Sequence, residues 1–163
     1  VWKRTPLPNL SIAHSEGMAF VALIDEAYTV GIDAEPIHRS LAENAYDMMA
    51  KGEELERLRA RPAGVFQAWT GKEAVQKCLG QGMHLNPRDI RIPIETASCE
   101  ISIENSKIEL HYWTELEYHL SLATRVAQAD SPTPEDRLLQ VTREAMLADP
   151  DWGVGCKTTR EGA

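Results

Sequence analysis

The 163-residue sequence holds only three cysteines, Cys78, Cys99 and Cys156, far apart and odd in number. That argues against a disulfide framework and a zinc site, and it fits a reducing compartment, with the cytoplasm as the default. No apolar run approaches the ~20 residues that a membrane span requires, and the N-terminus carries no signal-peptide pattern. Neither G-x-x-x-x-G-K-[ST] nor G-x-G-x-x-G occurs, which removes a P-loop and a Rossmann turn. A G-x-S-x-G elbow is missing too, and no Ser/His/Asp ordering supports acyl hydrolysis. Basic residues are few beside acidic ones, 17 against 25, leaving a formal charge of −8. Such a chain repels a nucleic-acid backbone unless a local basic patch overrides it, so no nucleic-acid partner is expected. Internal repeats and low-complexity tracts are also lacking.

What is present has the hydrophobic and charged fractions of an ordinary soluble domain, in a length that suits one core. The opening residue is Val1 and not Met, which suggests a chain processed or cut from a longer polypeptide. Two segments carry the chemistry. Val30-Gly31-Ile32-Asp33-Ala34-Glu35-Pro36 reads as a short, central apolar strand ending in two carboxylates. Residues two apart on a strand share a side, so Asp33 and Glu35 can face one point. Trp69 to Lys77 reads as a helix in which Trp69, Glu73 and Lys77 fall on one stripe. In most helices Glu73 with Lys77 would be a plain surface ion pair, but Trp69 belongs to a core or a binding floor. Three acids converging beside lysines suit a divalent cation that holds a phosphate-bearing ligand. Magnesium fits better than zinc, because every candidate donor is oxygen and no Cys or His pair has zinc spacing.

Along the chain, residues 1–9 form an extended lead-in and 10–15 a short strand or turn. Met18–Ile24 is a continuous apolar run of buried-strand length, turned by Asp25-Glu26-Ala27 into the acidic strand. The pair predicts an antiparallel hairpin at the centre of a sheet. Ser40 and Glu43 suit a capping box for a helix over 41–50, and a second short helix spans 53–59 before Pro62. The long helix covers 63–79 and ends at Gly80 and Gly82. From Ile90 the period moves towards two, predicting strands over 90–94, 99–103, 107–113 and 118–123. A linker at 130–134 then leads to an amphipathic helix over 135–147 and a loose tail. The expected division is 1–128 for the folded lobe and 129–163 for the remainder. Arg57, Arg59 and Arg61 form the one basic cluster, either a solvated helix face or a docking surface for an acidic partner.

The acidic strand followed by Trp69-Thr70-Gly71-Lys72-Glu73-Ala74-Val75-Gln76-Lys77 resembles the paired motifs of the 4′-phosphopantetheinyl transferases, G-[IV]-D-x-E and then [FW]-[ST]-x-K-E-[AS]-x-x-K. Ser11-Ile12-Ala13-His14-Ser15 is similar to the S-x-S-H-S stretch of the two-lobed branch, with Ala13 where the second serine stands. The resemblance spans residues 9–125. It implies an α+β fold, an antiparallel sheet packed against a long helix, as the single-lobe unit of that family. It implies transfer of 4′-phosphopantetheine from coenzyme A to a serine of an acyl or peptidyl carrier protein, with Mg2+. Asp33, Glu35 and Glu73 would be metal ligands, Glu73 alternatively the base. Lys72 and Lys77 would reach phosphates, and Lys77 would stabilise the leaving group or shuttle its proton. His14 would contact a cofactor phosphate, with Ser15 beside it. His84, His111 and His119 have nothing to recommend them. Only the second lobe of the two-lobed type is matched, so a homo-oligomer, trimer favoured, or a second lobe is expected to complete the site. A lobe cut away, or a domain excised from a multifunctional synthase, would also account for the match. The rival reading is a non-catalytic domain that binds coenzyme A or a carrier protein.

Overall fold

The computed structural model describes residues 7–127, so the predicted linker at 130–134 and helix over 135–147 lie outside the described residues. Strand β1 (Asn9–Ser15) turns through Glu16 and Gly17, both at positive φ, into β2 (Met18–Ile24). Two consecutive left-handed residues give the tight hairpin turn whose twist matches its strands. Strand β3 (Tyr28–Pro36) carries the acids. Three helices follow, α1 (Glu43–Met49), α2 (Gly52–Ala60) and α3 (Val65–Leu79), the last entered through a 3-10 turn at Pro62–Gly64. Strands β4 (Ser98–Ile103), β5 (Ser106–Glu115) and β6 (Tyr118–Val126) complete the described chain.

The strands form two sheets, β1-β2 and an antiparallel four-stranded β3-β6-β5-β4. The fold is therefore α+β, with α3 packed on the larger sheet. A core of Ala74, Val75, Ile90, Ile108, Leu110 and Ala123 lies under α3. Ala13, Ile32, Ala34, Tyr118 and Leu120 form another core, with Phe20 and Ala22 of β2 packed against it. Alternation along β3 thus sends even-numbered residues to the hairpin and odd-numbered ones to α3. Among the described residues no helix is long and apolar enough to cross a membrane.

The hairpin differs from the expectation. Strand β2 pairs with β1 and not with β3, and β3 is the edge of the larger sheet. Its free edge is flanked by β1, running in the same direction: Asn9 Nδ2 donates to Tyr28 O, Ile32 N to Ser11 Oγ, and Tyr118 Oη to Ser15 O. Nor is the apolar run buried. Leu10 pairs with Leu23 and Ile12 with Val21, and these four are 59, 65, 52 and 57% exposed. An apolar run reports that both faces avoid water, not what covers them.

Two smaller differences concern ends and irregular backbone. Helix α1 starts at Glu43 behind Ala42, without the predicted side-chain cap. Residues 90–94 are not a strand, although Ile90 and Ile92 are buried at strand spacing. Side chains of α3 bond this segment and its flanks in place of a neighbouring strand: Lys72 donates to Ile90 O within it and to Pro87 O before it, Gln76 to Leu85 O, and Gln67 to Thr96 O beyond it. Backbone carbonyls satisfied this way need no ladder.

Candidate active site

The site begins at Gly31. A Cβ there would overlap the Ala74 carbonyl oxygen and lie 2.5 Å from Cys78 N, so the backbone of α3 rests directly on β3. Any side chain would hold helix and strand apart. The contact fixes which α3 residues meet the odd-numbered side of β3. Thr29 Oγ1 lies 3.4 Å from Cys78 Sγ, and two residues beyond Gly31 the Lys77 ammonium donates to Asp33 Oδ1 at 2.8 Å and to Ile32 O at 3.0 Å. Asp33 is 7% exposed, and its Oδ2 is buried with no hydrogen-bond partner among the described residues.

Glu73 sits one helical turn before Lys77, half-buried. Burial pushes its carboxyl above the ordinary range; the charge of Asp33 adds to this, Lys77 opposes it, and Glu35 adds a little more. Asp33 is also raised, by burial first, against the pull of Lys77. Glu35 is raised by burial too, against the Arg39 guanidinium bonded to its Oε2, with Asp33 and Glu16 pushing the same way as burial. The three carboxylates therefore share one neighbourhood and repel each other there. They do not form a ready cage: among the described residues no three His, Cys, Asp or Glu side chains converge closely enough to ligate a metal. Lys77 and Arg39 are bonded to two of the three acids, Asp33 and Glu35. The donor chemistry nevertheless fits a hard divalent cation, since the donors are all oxygen, mutually repelling, and one is buried without a partner.

Trp69, on the same stripe, lines a pocket of about 640 Å³ together with Met48, Glu73, Met83, Asn86 and Arg88. Other expected residues lie elsewhere. His14 faces outward on β1, opposite Ala19, on the exposed side that carries Leu10 and Ile12. Ser15 ends that strand beside Tyr118, itself opposite Pro36, so β1 terminates at the acidic end of β3 but across the sheet from α3. Lys72 departs furthest from expectation. It is 1% exposed, and its ammonium donates to Glu54 Oε2 and Pro87 O, both at 2.9 Å, and to Ile90 O. An ammonium with three acceptors has no proton left for a phosphate. The basic cluster is also largely committed, Arg59 to Asp47 at 3.1 Å and Arg61 to Glu95.

Sequence reasoning passed over two neighbours. Arg39 lies four residues past Glu35, a spacing visible in the sequence had Pro36 not ended the strand reading there. His119, on β6, lies directly opposite Glu35 of β3, stacked on Phe66 at 5.0 Å, with its Nδ1 2.7 Å from Tyr112 Oη. Burial lowers its pKa, which favours the neutral ring. Only strand register reveals that pairing, and register is not written in local pattern.

Residues 29–129 match the family model of the 4′-phosphopantetheinyl transferase superfamily. No curated protein matches the chain.

Proposed function

The chain belongs to the 4′-phosphopantetheinyl transferase superfamily, and from that premise we propose that it moves 4′-phosphopantetheine from coenzyme A to a serine hydroxyl of an acyl or peptidyl carrier protein, as a holo-carrier-protein synthase. The observation that carries the reading is the Asp33 carboxylate. It is buried, half unpartnered, and set by the Gly31 contact against the turn of α3 that bears Glu73 and Lys77. A desolvated carboxylate with an empty oxygen costs stability unless a ligand completes it.

Asp33, Glu35 and Glu73 would hold Mg2+. Bound there, the ion supplies charge neutralisation on the pyrophosphate of coenzyme A. The serine oxygen attacks the β-phosphorus, a new P–O bond forms, and the bond to adenosine 3′,5′-bisphosphate breaks. Glu73, directly or through a water, takes the serine proton. Lys77, 32% exposed and anchored at present on Asp33, is free to move its ammonium to the leaving phosphate once Asp33 has another partner. Arg39 stands in the same relation to Glu35.

His14 and Ser15 enter this scheme through a second body. Four exposed aliphatic side chains in two cross-strand pairs form a contiguous apolar face beside His14. Such a face marks an interaction surface. A second lobe, or a second copy in a homo-oligomer such as a trimer, would cover it and bring His14 to a shared site.

The test incubates the protein with apo-carrier protein, coenzyme A and magnesium, and weighs the carrier. A gain of about 340 Da, the phosphopantetheine arm, is expected. An unmodified carrier that nonetheless co-elutes with the protein would replace transfer with simple binding.

A further inference from the structure

Helix α3 carries a second lysine–carboxylate pair, and its geometry gives it a different task. Lys72 is 1% exposed, and each of its three protons has an acceptor, on Glu54, Pro87 and Ile90. Glu54 is equally committed: Oε2 receives Lys72, and Oε1 receives the Ile92 amide at 3.3 Å. One ion pair, its lysine 1% and its glutamate 13% exposed, thereby ties α2, α3 and the 87–92 segment together. Gln76, one turn along α3, donates to Leu85 O at 2.6 Å and extends the same seam. The segment so held supplies Asn86, Pro87 and Arg88 to the pocket that Trp69 and Glu73 line, and Lys72 also borders that pocket while its ammonium is engaged by the three acceptors. Its own backbone makes no ladder, only the 3-10 bonds from Asp89 N to Asn86 O and from Ile90 N to Pro87 O, so these side-chain bonds are what tie that wall to α3 and α2.

We propose that Lys72 is a positioning residue: with Glu54 it forms a buried clamp that holds the 87–92 segment and the pocket wall beside Glu73, and it does not bind phosphate. The clamp's effect on transfer rests on the function proposed above; its geometry does not. Removing one partner leaves the other charge buried alone, whereas neutralising both leaves none. Lys72→Met should therefore unfold more readily than Lys72→Met/Glu54→Gln, in which the glutamine oxygen still accepts from Ile92.

The first measurement needs no activity. The full chain is acetylated with a water-soluble N-hydroxysuccinimide ester, and each lysine is followed by peptide mass spectrometry. Lys72 should react at least about tenfold more slowly than Lys77, because only local opening exposes it. Adenosine 3′,5′-bisphosphate with magnesium should slow Lys77 and leave Lys72 unchanged. Labelling of Lys72 as fast as Lys77, or its protection by the nucleotide, overturns the proposal. The second measurement compares variants. Lys72→Met should lose about 10 °C or more of melting midpoint, and the double variant should recover much of it, with the KM for coenzyme A within about threefold of wild type. A single variant as stable as wild type, or a well-folded double variant whose KM rises tenfold or more, also overturns it. If the wild-type protein transfers nothing, the proposed function fails, and labelling with melting still decides the clamp.

Discussion

Two lysines five residues apart on α3 each meet a carboxylate, and the pairs behave in opposite ways. Lys72 is enclosed and Glu54 half-buried, with every ammonium hydrogen and both carboxylate oxygens engaged. Lys77 and Asp33 are joined by one ion pair that leaves Asp33 Oδ2 empty and a third of the lysine exposed. A completed polar network rigidifies, and a network with a vacancy can exchange partners. The function proposed above therefore assigns the chemistry to the incomplete pair, although the local sequence around both lysines is equally suggestive.

The sharpest way to break this contrast is Asp33→Asn. Transfer should fall by about a thousandfold or more, as when a preorganised charge at a phosphoryl site is removed, while the melting midpoint stays level or rises. Glu54→Gln should do the reverse, lowering the midpoint and sparing much of the rate. Carrier mass gain and calorimetry on the two variants decide it; equal loss of rate in both would dissolve the distinction.

Gly31→Ala should come next. Its methyl meets the Ala74 carbonyl, so α3 must lift from β3 at the point that sets Lys77 against Asp33. A shift near 1 Å costs on the order of a hundredfold in rate, and overpacking costs about 1–3 kcal/mol of stability. Lys72 acetylation should stay slow, which would separate damage at the strand from damage at the clamp.

A smaller effect concerns pH. Asp33, Glu35 and Glu73 all have raised folded-state values, with burial the leading cause in each. A raised acid costs stability while ionised, and that cost disappears as pH falls through the raised folded value towards the unfolded one. Wild type and Asp33→Asn should therefore differ most in melting midpoint near neutrality and converge as pH approaches the unfolded values of 3.8 and 4.5. Magnesium should raise the wild-type midpoint at neutral pH, with a gain that shrinks over the same window. A magnesium effect independent of pH would mean that the ion binds elsewhere. The smallest change in either pair should come from Leu23→Ser with Val21→Ser, which alters the outer face of β2 alone. If this face carries the proposed assembly, sedimentation should show a smaller species, with slow Lys72 acetylation retained; unchanged sedimentation would remove that role from the face.

Much of this molecule was legible beforehand, for reasons that also explain the misses. Asp33, Glu35, Glu73 and Lys77 follow from two local periods, strand and helix, and local periods survive folding. The four-stranded antiparallel sheet with α3 on it matched the α+β expectation. Lys72 shares its helix with Glu73 and looked equally available, because a sequence does not state which side of a helix a distant loop will cover. The 90–94 segment has strand spacing in Ile90 and Ile92, yet Gln76, Lys72 and Gln67 hold its neighbourhood to α3 with side-chain bonds. Met18–Ile24 read as buried because every residue is apolar, while its outer half has no cover within the described residues. His119 was passed over because only the pairing of β3 with β6 sets it beside Glu35.

That pairing has one more consequence. Strand β3 forms its entire ladder with β6, the last strand in the described residues. Closing so long a loop is slow, since its entropy is lost before the contacts that repay it form. On a ribosome the carboxylates of β3 would be translated early and left without a ladder partner until β6 emerges. The proposed metal-binding capacity should thus be among the final properties the nascent polypeptide acquires, and ribosome-stalled chains released before Tyr118 should lack it.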